Sequence, residues 1–85
     1  MSQGRIVFVS RNGAMLVVQH EEGFTVVEML GDEGMLEVGD RVFGNWTAVA
    51  SEPIRRDREV FDAYFQGCWG NPNAAVQVAR NAGGG

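Results

Sequence analysis

The chain has 85 residues, 45% of them apolar, and a formal charge of −4 from eleven acidic side chains against seven basic ones, every basic one an arginine. At this length about 60–65% of the unfolded surface can be buried, enough for one core and not two, and the apolar content excludes a disordered chain. The acidity works against long-range attraction to nucleic acid or anionic membrane, though a local arginine patch can sit on an acidic protein.

Cys68 is the only cysteine, so no intramolecular disulfide can form and a reducing compartment fits best. No charged segment leads into an apolar leader, and no apolar run nears the roughly 18 residues of a membrane span. The expectation is a soluble cytoplasmic protein: one domain over residues 1–82, no membrane partner, and a flexible glycine tail at 83–85.

In chain order, Gly4-Arg5-Ile6-Val7-Phe8-Val9-Ser10 is rich in β-branched and aromatic residues and reads as a strand apolar on both faces beyond Arg5. Arg11-Asn12-Gly13 supplies a hairpin turn, because Asn-Gly tolerates the positive φ such turns need. Ala14 to His20 is the second strand, Glu21-Glu22-Gly23 a second turn, and Phe24 to Leu30 the third strand, giving a meander. Gly31 to Asp40 is a loop with three glycines and four acids, too broken for a full helix. Glu37-Val38-Gly39-Asp40 then forms a tight turn that launches a fourth strand. Val42, Gly44 and Trp46 lie on its inner side and Arg41, Phe43 and Asn45 on its outer side. Gly44 reads as the point where a barrel wall bends.

Thr47 to Asp57, containing Pro53, reads as a long connection. Arg58 to Gln66 fits two periods. As a strand, Phe61, Ala63 and Phe65 face inward; as a helix, Arg55–Glu59 and Arg58–Asp62 make ion pairs. The strand is preferred, because a four-stranded meander leaves an open edge that a fifth strand closes. The alternative is a four-stranded sheet covered by two helices. A C-terminal helix is predicted over 71–81, with Asn71 as N-cap, Pro72 in the first turn and Arg80 near its negative end. Ala75, Val76 and Ala79 form its apolar stripe, which either plugs one end of the barrel or lies on its side.

The fold class is therefore mainly β: a small five-stranded antiparallel barrel with a C-terminal α-helix. Gly4-Arg5-Ile6-Val7-Phe8-Val9, Gly23, and Glu37-Val38-Gly39-Asp40-Arg41-Val42 resemble the OB-fold barrels of cold-shock-type domains over about the first fifty residues. Such domains bind single strands through aromatic-rich motifs on their second and third strands. Here those positions read Gly13-Ala14-Met15-Leu16-Val17-Val18 and Phe24-Thr25-Val26-Val27-Glu28, without the lysine, the paired phenylalanines or the final histidine.

Chemistry-bearing residues are sparse. His20, beside Glu21 and Glu22, has an acid–base pairing to offer but reads more simply as a solvated strand-end residue. Cys68 sits near a helix start, where a thiol can be activated, but an inert cysteine is the plainer reading. Asp32, Glu33, Glu37 and Asp40 lack the alternating ligands of a calcium loop. No nucleophile–base set or metal cluster is legible, so no enzyme activity and no cofactor are expected.

Arginines and rings remain. Arg5, Arg11 and Arg41 fall on or beside strands one and four, with Phe8 and Phe43 among them. This set is the expected nucleic-acid-binding patch for single-stranded RNA or DNA. The alternative use of the same rings is a protein partner or a homodimer.

Overall fold

The computed structural model describes residues 1–82; the glycine tail expected at 83–85 lies outside them. Short turns dictate the first half of the chain. Asn12 accepts hydrogen bonds from the Ser10 hydroxyl (2.8 Å) and the Ala14 N–H (3.0 Å), folding β1 (Ser2–Val9) back onto β2 (Met15–His20). β3 (Gly23–Met29) follows with continuous pairing from Met15↔Glu28 to His20↔Gly23. The meander is as expected.

The turn into β4 (Arg41–Gly44) is built by Gly39 and Asp40. Gly39 takes φ 97°, a left-handed conformation that a side chain resists. The Asp40 carboxylate accepts the Glu37 N–H at 2.9 Å. Gly39 donates to the Ile6 carbonyl and Ile6 to the Asp40 carbonyl, so the turn is stitched to β1 before β4 pairs with it. Residues 41–46 then alternate exposed and buried, with Val42, Gly44 and Trp46 inside.

The described residues form six strands rather than the expected five, and the extra one lies in the second half. Ser51–Arg56 is a strand, β5, and Glu59–Trp69 is a second one, β6, joined by a tight turn in which Asp57 takes φ 54°. The pairing runs from Ser51↔Tyr64 to Arg56↔Glu59. Pro53 had argued for a connection, yet it is tolerated. The Phe65 N–H donates to the Ala50 carbonyl, and Phe43 pairs with Arg55. Odd-numbered backbone groups of β5 therefore point toward β4, which ends before reaching Pro53, so the missing N–H leaves no ladder bond unmade. All the strands are antiparallel, in the closed order β1-β2-β3-β6-β5-β4, an arrangement consistent with an OB-like barrel.

The interior is filled by Ile6, Leu16, Val18, Val27, Met29, Leu36, Val42, Trp46, Ile54, Phe61, Ala63 and Phe65. Trp46 closes one end. Its ring stacks on Phe65 (centroids 5.3 Å apart) and on His20 (6.1 Å), and its indole N–H donates to the Ser2 carbonyl at 2.8 Å. Gly4 and Gly44 make room for it: a Cβ on Gly44 would lie 2.9–3.2 Å from three Trp46 ring atoms, and one on Gly4 would lie 3.1 Å from a fourth. Gly44 is thus required by the indole packed upon it rather than by a bend. Leu36, from the loop between β3 and β4, covers the other end. Arg56 holds that loop, donating to the Met35 carbonyl (2.9 Å) and to Asp40 (2.7 Å) while also reaching Glu59.

The helix α1 (Pro72–Asn81) lies on the side of the barrel. Asn71 caps it by accepting the Asn73 and Ala74 N–H groups. Ala75 and Ala79 are fully buried in a second cluster with Met15, Val17 and Val26, the outward residues of β2 and β3. No described helix is long and apolar enough to cross a membrane.

Candidate nucleic-acid interface

Strand pairing, not sequence proximity, assembles the outer face of β1, β4 and β5. Gly4 and Ile6 point inward on β1, so Gln3 and Arg5 point outward; on β4 the outward residues are Arg41 and Phe43. The register sets Arg5 beside Arg41 and Gln3 beside Phe43. On the other side Phe43 pairs with Arg55, and Arg55 with Val60. The result is a row Gln3–Phe43–Arg55–Val60 next to a pair Arg5–Arg41. Phe43 is 39% exposed at the centre. Among the described residues both ion pairs belong to Arg56, so Arg5, Arg41 and Arg55 have no carboxylate partner. Arg55 joins this face unforeseen, because its segment read as a connection.

Phe8 and Arg11 belong elsewhere. The β1–β2 register shifts between Ile6 and Phe8, a bulge that turns both Val7 and Phe8 to the outside and returns Val9 to the core. Outside, Phe8 joins the helix cluster, with the Arg80 guanidinium 5.5 Å from its ring centroid. Arg11, in the next turn, lines a cleft with Phe8, Val9 and Arg80. The five expected residues therefore divide into Arg5, Arg41 and Phe43 on one face, and Phe8 and Arg11 on another.

The centre of the outer face of β2 and β3 is closed to a ligand. Met15, Val17 and Val26 occupy it and are buried under Ala75 and Ala79. The aliphatic residues that replace an aromatic motif there are the seat of α1.

The barrel also brings together His20 and Cys68, which lie 48 residues apart, at 3.5 Å between Nε2 and Sγ. A cysteine–histidine pair is therefore present although none is legible in the sequence. What the pair can do follows from its hydrogen bonds. The Thr25 hydroxyl donates to the Trp46 carbonyl at 2.6 Å, so at 2.7 Å from His20 Nε2 it must accept. Nε2 therefore carries the proton, while Nδ1 accepts the Glu22 N–H at 3.3 Å. In this tautomer Nε2 cannot take a proton from the thiol. Burial lowers the His20 pKa, against a smaller upward pull from Glu22, and this favours the neutral ring. Among the described residues no three His, Cys, Asp or Glu side chains are placed to hold a metal ion. A shallow depression of about 420 Å³ between Leu30, Pro53 and Ala63 has Ser51 and two acids, Glu52 and Asp62, as its polar lining.

Compared with protein-family models, with curated proteins and with solved structures, the chain matches none.

Proposed function

We propose that this protein is a non-enzymatic single-stranded nucleic-acid-binding domain that uses the outer face of β1, β4 and β5. The observation carrying this reading is the cluster of Arg5, Arg41 and Arg55 around exposed Phe43, without a carboxylate partner among the described residues, in a chain where acids outnumber bases. Bare cations beside a flat ring suit a phosphate backbone with a base stacked on the ring, an arrangement worth about 1–3 kcal/mol per stacked base. The cold-shock-type resemblance agrees in ligand class but not in location, since α1 covers the face those domains use. The proposed face lies instead on β1, β4 and β5.

The competing use of the same face is a protein partner or a homodimer. In the row Gln3–Phe43–Arg55–Val60 an arginine separates the two apolar residues. A self-associating copy would set arginines against arginines near its symmetry axis. Titration of a short oligonucleotide at low salt, followed through backbone amide shifts, tests the proposal. Movement on β1, β4 and β5 is expected, and three arginines predict a shallow salt slope of about −2 (about −0.7 per neutralised phosphate). No movement at low salt overturns the reading and leaves the protein-interaction use.

A further inference from the structure

Arg11 and Arg80 reach one place from separate elements. Arg11 projects from the β1–β2 turn and Arg80 from the last turn of α1, and with Phe8 and Val9 they line an open cleft of about 600 Å³. Among the described residues no carboxylate lines it. Two cations sharing a hollow repel each other, and on a surface this acidic a neighbouring acid would have been easy to supply.

Part of the arrangement has a structural reason. Arg80 is favoured at the negative end of its helix and by the Phe8 ring beneath it. Neither reason accounts for Arg11. Stacking also uses the flat face of a guanidinium and leaves the N–H donors on its edge free. Among the described residues Arg56 is the arginine whose side chain makes ion pairs, and neither Arg11 nor Arg80 makes one.

We propose that the Arg11–Arg80 cleft is a phosphate-binding site, distinct from the Phe43 face, that takes a terminal phosphate monoester. Two guanidinium forks match a group with three oxygens and a charge of about −1.5 to −2; a carboxylate, with two oxygens and one charge, satisfies only one fork. Phe8 is covered by Arg80 and packed into the helix cluster, so no base stacks on it and recognition rests on the phosphate. The cleft is open to solvent, so a nucleoside attached to the phosphate extends away from it without obstruction. The phosphate has two sources, a free nucleotide or the 5′ end of a strand. The site stands whether or not the Phe43 face binds nucleic acid.

The test uses the whole chain, with amide shifts of residues 8–12 and 78–82 as readout. The probes are adenosine 5′-monophosphate, adenosine, and a trinucleotide with and without a 5′-phosphate. The monophosphate is expected to give saturating shifts at both segments, and adenosine none. Arg11→Gln and Arg80→Gln, each checked for an unchanged melting temperature, are expected to weaken it at least about tenfold. The unphosphorylated trinucleotide reads the Phe43 face separately and should be indifferent to both variants. A 5′-phosphate that adds affinity to the trinucleotide assigns the site to strand ends; one that adds nothing, beside a monophosphate that binds, assigns it to the free nucleotide. Equal shifts from adenosine and its monophosphate, no saturation, or unchanged affinity in both variants would overturn the proposal.

Discussion

Replacing Gly44 with alanine adds a methyl whose three nearest neighbours all belong to Trp46, at 2.9, 3.0 and 3.2 Å. Relaxed carbon contacts lie at about 3.5–4.0 Å, so the indole must retreat by about half an ångström. It has little freedom to do so: its N–H is fixed on the Ser2 carbonyl, and its faces are stacked against Phe65 and His20. Overpacking of this kind costs about 1–3 kcal/mol. A protein of 85 residues has about 4–13 kcal/mol of total stability, so the loss is measurable without unfolding the chain. Trp46→Phe shortens the ring and costs about 1–2 kcal/mol from lost burial and the lost indole hydrogen bond. The two substitutions together isolate the contact between Gly44 and Trp46. In the double variant the methyl fills space vacated by the indole, so the total loss is expected to fall short of the sum by about 1 kcal/mol or more. Urea titrations of all four proteins by far-ultraviolet circular dichroism give the four values. Losses that add within about 0.5 kcal/mol would show that Gly44 does not owe its place to Trp46.

Stability should depend on His20 near neutrality. The folded ring has a pKa below the ordinary 6.5, so the unfolded chain takes up its proton first; stability is full above pH 6.5 and falls as the pH drops below it. Melts between pH 8 and pH 5 should show that decline in the parent and a flatter profile in His20→Gln. For Asp40, burial pushes the carboxyl up, but the Glu37 N–H and the Arg56 guanidinium together outweigh it and hold it below the ordinary 3.8. That contribution is present above pH 3.8 and lost below, and Asp40→Asn should cost up to about 1 kcal/mol at pH 7 by thermal melting, as expected of a partly exposed pair. Arg41→Glu should abolish oligonucleotide binding and leave the melting temperature near the parent's. Val42→Ala, one residue away and fully buried, should bind normally but lose about 2–4 kcal/mol. If the Arg41 variant unfolds, or binds as the parent does, the Phe43 face is misassigned.

Local signals made much of the barrel legible. Asn12-Gly13 and Gly39-Asp40 each demand a turn, and the alternation of residues 41–46 sets the phase of β4 by itself. The Asn71-Pro72 start of α1 was equally plain. Strand β5 was hidden because Pro53 is a breaker everywhere except where its neighbour strand has already ended, and that is a fact about β4, not about Pro53. The candidate face was half legible for a related reason. Arg5, Arg41 and Phe43 follow from alternation, but Arg55 enters only through the pairing of β4 with β5. Phe8 was lost to a one-residue bulge, which no periodicity announces. The meeting of His20 with Cys68 depends on the ladder between β3 and β6, whose partners lie about forty residues apart.

That ladder also bears on how the protein folds. Each half of the chain can zip locally, β1 with β2 and β3 in one, β5 with β6 in the other, across turns of a few residues. Closure instead requires β3 to find β6, and β1 to find β4 with Gly44 beside Ser2. Each search closes a loop of some forty residues before any contact rewards it, an entropic cost that slows folding relative to helical proteins of equal size. The rings at the meeting point come from both halves: His20 from the first hairpin, Trp46 from the segment between the halves, Phe65 from the last strand. Substitutions in their stack are therefore expected to slow folding more than they hasten unfolding, as read from folding and unfolding rates in urea.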